Sequence, residues 1–253
     1  MRSFFIFSIL NQSYGIDIEQ VQRILPAQVL TVVPDEDAHI EGMFQYEDEI
    51  IKVLSFRNIT GLTQYSAELQ DMFTDLKQQH TQWLESLISA VEENTKFTKT
   101  TDSHMCHLGK WLDSFQPETR EMKSLVKNLN YHHKNLHKSA VEVLEMKEQD
   151  KTQAREWIDS NVKDMYKNTL SYLGEIAEKS EEVAVSFQRC LILIDADNNL
   201  FGVNVDGVEN IIHIEDEKLH KPKEVQDIGK YMGLEAILEH EGKLITIVKD
   251  IHI

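Results

Sequence analysis

Apolar side chains recur along this chain with two different periods. In residues 1–61 and 187–253 they come as short runs, "SFFIFSIL", "EIIKVLSF", "RCLILIDA", "LFGVNVDGV" and "KLITIVKDI", rich in Val, Ile and Phe and bounded by Gly, Asn and Asp. Runs of this kind predict β-strands, and many short strands separated by turn signals predict a small barrel or sandwich. "DADNNLFG" reads as a turn, because Asn and Asp tolerate left-handed backbone angles. Between these segments the period changes. Leu69, Met72, Phe73, Leu76, Trp83, Leu87 and Val91 recur every three or four residues and predict one face of a long helix, with His80 on the same stripe. A second helical pattern carries Leu125, Leu129, Leu136 and Ala140, with Pro117 and Glu118 expected in its first turn. A third runs through Trp157, Ile158, Val162, Met165, Leu173 and Ile176; whether "KEQDK" (147–151) interrupts the last two is left open by the pattern.

Glycine and proline follow the same division. Eight of ten glycines and three of four prolines lie in the outer segments, leaving Gly109, Gly174 and Pro117 to the middle one. An antiparallel helical bundle (62–186) can leave a β-fold close to where it entered, so the outer segments (1–61 and 187–253) are expected to complete one β-domain together. The fold class expected is α+β.

Composition narrows the function. With 43 acidic against 26 basic side chains, a net charge of −17 offers no basic face for nucleic acid. No apolar run approaches the ~18 residues that span a bilayer. The opening "MRSFFIFSIL" has an apolar run after an arginine, as a secretory signal does, but no small-residue cleavage site follows and "NQSYGIDI" continues in alternation. A first strand and a cytoplasmic location are expected. Two cysteines far apart do not make a disulfide framework. Cys190, inside "RCLILI", reads as a small buried hydrophobe.

The candidate chemistry lies in the helical segment. Six of eleven histidines fall between positions 80 and 137. His133 and His137 lie four apart on one helix face, so both imidazoles can reach a single ion. With His80, and with Cys106 in "HMCHLGKWL", they form a thiolate and three imidazoles, a closed tetrahedral set suited to zinc. His104, His107 and His132 are further candidates that spacing does not exclude. The same residues also fit a plainer reading, of core histidines beside a buried cysteine. An enzyme is poorly supported: the pair His133/His137 encloses no glutamate, as a metalloprotease helix would, and no G-x-S-x-G, P-loop or G-x-G-x-x-G is present. Four protein ligands would also leave no open position for a catalytic water. A zinc-dependent hydrolase is the remote alternative.

Two resemblances sharpen this reading. The middle segment, through His80, "CHLGKWL" with Cys106, Gly109 and Trp111, and the H-x-x-x-H pair His133 and His137, resembles the chemoreceptor zinc-binding (CZB) domain of bacterial signalling proteins. That resemblance implies a 3-His/1-Cys Zn2+ site in a helical bundle, often a homodimer, in which the cysteine responds to zinc or to hypochlorous acid. Cys106, just after Asp102 and Ser103 as an expected helix start, would then be a thiolate open to oxidation. A purely structural zinc is the alternative. The outer segments, through "YGIDIEQVQRIL", "IEGMFQYEDEIIKVLSFRNITGL", "RCLILIDADNNLFGVNVDGVENI" and "GKLITIVKDI", resemble the CheW-like coupling domain of chemotaxis. This implies a pair of five-stranded barrels and an adaptor, not an enzyme, that meets chemoreceptors or the histidine kinase CheA. One loop departs from the family: Gln45, Tyr46, Glu47 and Asp48 stand where Asn-Leu-Arg-Gly is usual, with Lys52 for its proline and Ser55 for its aspartate. Glu47 in place of an arginine inverts a charge at the expected protein-interaction surface; the plain reading is a degenerate loop, the sharper one a different partner with a basic face.

Overall fold

A computed structural model describes residues 1–32, 39–221, 227–228, 231–249 and 251–253. The chain divides into two compact units, a β-unit of Met1–Tyr65 with Ala184–Ile253, and a helical unit of Ser66–Val183.

In the β-unit, one sheet runs β8(Gly207–Ile214), β1(Arg2–Ile9), β2(Gln12–Asp17), β11(Lys243–Lys249), β10(Met232–His240), with the two-residue β9(Asp227–Ile228) at its edge. The other runs β3(Val21–Pro26), β6(Arg189–Ile194), β7(Leu200–Val205), β5(Glu49–Ser55), β4(Ile40–Tyr46). Five principal strands make each sheet, as expected. Both are mixed: β11 pairs with β2, and β5 with β7, in parallel. Each parallel pair joins a strand from before residue 62 to one from after residue 187, so neither sheet is complete without both outer segments. The first strand expected in residues 1–10 forms over Arg2–Ile9; Asp250, near the end of the last expected strand, lies outside the described residues.

Period-two alternation explains why β1 is apolar almost throughout. Phe5, Phe7 and Ile9 enter a cluster with Leu54, Leu191, Leu193, Phe201 and Val203 of the other sheet. Phe4 and Ile6 turn the other way, onto Ile212, Ala236, Leu238, Ile245 and Ile247. Cys190 lies on the far face of the second sheet with Ile51, Val53 and Ile192, 1% exposed, as a small hydrophobe should be. After β5 comes one helical turn, α1(Phe56–Ile59), capped by Ser55, whose hydroxyl accepts from Asn58 N–H. Gly61, at φ +73°, ends it: the Gly61 and Leu62 amides donate back to the carbonyls of Asn58 and Arg57.

The helical unit holds α2(Tyr65–Glu92), α3(His107–Ser114), α4(Arg120–Gln149), α5(Lys151–Trp157) and α6(Lys163–Glu178), with α7(Ser180–Phe187) leading back to the β-unit. The α2 stripe falls largely as the period predicts, burying Leu69, Phe73, Leu76, His80, Trp83, Leu87 and Val91, while Met72 is only half-buried. Trp83, Leu87 and Val91 meet Leu136, Ala140 and Val143 of α4, and Ala154, Ile158 and Val162. Glu92 pairs with Arg155 at one end of the unit, and Glu121 with Lys179 at the other. The α5–α6 run is therefore antiparallel to both α2 and α4. One expectation is corrected and one open point is decided. Helix α4 begins at Arg120 with Thr119 as its cap, leaving Pro117 and Glu118 outside its first turn. The 147–151 segment does interrupt the helix: Asp150, at φ −149°, ends α4 and caps α5 by accepting from the Thr152 and Gln153 amides. A π-helical turn, Ile158–Val162, then joins α5 to α6. None of the described helices is long and apolar enough to cross a membrane.

Candidate metal centre

Three elements bring four donors together. His80 comes from the apolar stripe of α2 and is 3% exposed. Its Nδ1–H donates to the Leu76 carbonyl one turn back at 2.8 Å, which leaves the Nε2 lone pair facing inward, 4.0 Å from Cys106 Sγ. His133 and His137 lie one turn apart on α4, with ring centres 4.7 Å from each other and 5.1 and 5.7 Å from that of His80. His133 Nε2 stands 3.2 Å from Cys106 Sγ. His137 Nδ1 donates to the Thr100 carbonyl at 3.2 Å. All four donor atoms lie within 4.8 Å of one another.

Cys106 owes its place to a helix start different from the one expected. Asp102 and Ser103 do not begin the helix; Cys106 is itself the N-cap of α3, its sulfur accepting from Gly109 N–H at 3.2 Å. Its own hydrogen goes to the Ser103 carbonyl at 3.3 Å. This turn accounts for Gly109. A Cβ there would lie 1.7 Å from the Ser103 carbonyl oxygen, so only glycine lets the 103–104 backbone cross α3. Trp111 fastens the short helix, stacked on Phe115 and edge-on to Phe73 of α2.

Electrostatics keeps the imidazoles neutral, the form that metal ligands must have. Burial, reinforced by the neighbouring His137 and His80, pushes His133 down to about 2. Burial and His80 push His137 down to about 4. His80 is also lowered by burial, against its bond to Leu76. All three are neutral at pH 7, with lone pairs available. For Cys106 the expectation that the helix start favours a thiolate needs correcting: the first-turn amides do lower its pKa, but burial outweighs them and the thiol stands above its ordinary value.

The donor set fits zinc. Tetrahedral bonds of about 2.0–2.1 Å to nitrogen and 2.3 Å to sulfur require donors about 3.3–3.6 Å apart, and two of the sulfur–nitrogen separations, 3.2 and 4.0 Å, lie on either side of that range. His137 Nε2 is buried with no hydrogen-bond partner among the described residues, the state of a lone pair reserved for a ligand. An opening of about 290 Å³, lined by His80, Cys106 and His137 together with Met105 and His107, reaches the cluster.

The other candidates lie elsewhere. His104 Nδ1–H donates to the Asp113 carboxylate at 2.8 Å, His107 lines the opening, and His132 stacks on Tyr172. Gln45, Tyr46, Glu47 and Asp48 form the end of the β4–β5 hairpin, with Glu47 at φ +54°. Glu47 and Asp48 are exposed, whereas Tyr46 is half-buried against the Cys190 cluster. The reading by residue type missed the backbone carbonyls of Leu76, Thr100 and Ser103, which orient three of the four donors. Carbonyls have no sequence signature.

Comparison with known proteins finds two family matches. A family model for the CheW-like domain matches residues 3–81, and one for the chemoreceptor zinc-binding domain matches residues 80–144. None of the curated proteins matches the chain. Among solved structures, the scaffolding protein TtCheW from Thermoanaerobacter tengcongensis is similar, at 13% identity and a TM-score of 0.46 over 98% of this chain and 88% of that one. One chain thus carries matches to both a CheW-like domain and a chemoreceptor zinc-binding domain, families of signalling domains that are not enzymes.

Proposed function

We propose that this protein is a cytoplasmic, chemotaxis-type signalling adaptor whose helical unit holds zinc through His80, Cys106, His133 and His137 and reports on that site to its partners. The observation that carries the reading is the convergence of one thiol and three neutral imidazoles within 4.8 Å. Bound zinc would keep Cys106 as a thiolate, the form that oxidants attack. Attack by hypochlorous acid transfers oxygen to sulfur, giving a sulfenic acid and chloride, and removes one of the four donors. The opening at Cys106 supports a reagent-accessible centre over a sealed structural one. The helical unit is joined to the β-unit through α2 and α7, so a shift of these helices has a covalent route to the β-unit. The hairpin end at Gln45–Asp48 is the proposed partner surface. Its exposed carboxylates favour a receptor or kinase with a basic face over the family's usual contact.

Zinc per chain, measured in the purified protein beside Cys106→Ala and His133→Ala, tests the site: about one zinc in the parent, sharply reduced in both variants, is expected. A folded parent without zinc would sink it. Titration with hypochlorous acid or a chelator then separates the roles. Sensing changes partner binding while the fold persists; a structural zinc gives loss of the fold instead.

A further inference from the structure

The three imidazoles of the cluster are anchored in three different ways. His80 is fixed by a carbonyl of its own helix, Leu76. His133 Nδ1 is buried with no hydrogen-bond partner among the described residues. His137 is held by Thr100, in the 93–106 segment that lies outside any helix or strand. That same Thr100 carbonyl accepts from the indole N–H of Trp83 at 2.8 Å. Both of its lone pairs are therefore engaged, one by the ligand and one by the tryptophan. Trp83 is 4% exposed; its ring centre lies 5.1 Å from that of His137, and Phe97 of the same segment meets it edge-on at 5.6 Å.

We propose that Trp83 is a positioning residue of the metal centre: its N–H holds the Thr100 carbonyl, which in turn fixes the tautomer and ring orientation that present His137 Nε2 to the other donors. This inference rests on the zinc reading above. Carbonyl partners of metal-binding histidines set the tautomer and raise ligand basicity. Here the partner sits on an irregular segment with no helix to hold it in place. Trp83 supplies that support, three residues after His80 on the same helix face, so the ligand-bearing helix also steadies the loop beside it.

The test is zinc affinity of the full chain, by competition with a chromophoric chelator, in the parent, Trp83→Phe, His137→Ala and the double variant. Phenylalanine keeps the aromatic packing and removes the N–H. About tenfold weaker binding is expected in Trp83→Phe, as for loss of other outer partners, and no further loss when it is added to His137→Ala. Co2+ loaded in place of zinc should show shifted ligand-field bands in Trp83→Phe. Replacing Trp83 with the benzothienyl analogue, which exchanges N–H for sulfur at nearly constant shape, should reproduce the loss even if phenylalanine disturbs the fold. Unchanged affinity and bands in a metal-loaded Trp83→Phe would overturn the inference, as would an equal penalty with and without His137, the mark of a packing role alone. A parent that binds no metal would instead sink the zinc reading itself.

Discussion

Arg57 in the β-unit and His133 in the helical unit are each 1% exposed, yet the two interiors treat them in opposite ways. The guanidinium of Arg57 meets both oxygens of Asp206 at 2.7 Å, donates to the Thr63 carbonyl at 3.0 Å and lies over the ring of Tyr65. Asp206 also accepts from the amide of Leu10. Charge and hydrogen bonds are matched within the protein, and nothing further is needed. Around His133 the polar groups converge without matching: His133 Nδ1 and His137 Nε2 have no partner among the described residues, and neighbouring imidazoles depress one another. The two cysteines repeat the contrast. Burial holds Cys190 at about 12 among aliphatic neighbours, whereas Cys106 faces three imidazoles and an opening to solvent. Satisfied buried polarity holds a fold together. At the cluster, it is the inward-facing His137 Nε2, left without a partner among converging donors, that marks a place for a ligand.

Breaking the matched pair should have the largest effect. Arg57→Ala, which strands Asp206, is expected to cost about 3–5 kcal/mol in urea unfolding, while a joint apolar replacement of Arg57 and Asp206 should recover most of it. Equal losses in the single and joint variants would contradict the comparison. Acid should act next, on the unmatched cluster. The folded-state values of His80, His133 and His137 lie below their ordinary 6.5, so under that pH the unfolded chain takes up protons the folded chain refuses. Their contribution to the stability of the metal-free protein is complete above pH ~6.5 and is lost as pH falls toward the folded-state values of about 4 and 2. Urea midpoints from pH 7 to 4 check this, with the triple variant carrying leucine at all three positions losing that part of the slope.

Smaller effects separate the cysteines and the histidines. Cys190→Ser places a hydroxyl among aliphatic side chains and should cost about 1–3 kcal/mol, with zinc content unchanged; a drop in zinc would tie Cys190 to the centre. His133→Leu should lower zinc content sharply yet leave the metal-free protein within about 1 kcal/mol of the parent, because it removes a polar group that gained little. A large loss of metal-free stability would mean that His133 is a structural residue.

The alternation of "SFFIFSIL" and the three-to-four spacing from Leu69 to Val91 were legible in the sequence because each is set by backbone geometry within a few residues. The same local geometry placed His133 and His137 on one face. The start of the helix at Cys106 was not legible. It depends on a sulfur acting as a cap and on the passage of Ser103 over Gly109, a close approach that no residue pattern announces. The break at Asp150 was undecided for a related reason, since an aspartate can continue a helix poorly or cap the next one well.

What the sequence determined by itself is the choice of strand or helix in each segment, and the set of donor types that points to zinc. Tertiary structure alone decided that Cys106 meets His80 and His133, 26 and 27 residues away, and that Arg57 finds Asp206 at a separation of 149. It also decided which carbonyls orient the imidazoles. Periodicity is a property of neighbouring residues, whereas these meetings depend on how packed helices and sheets bring distant backbone together.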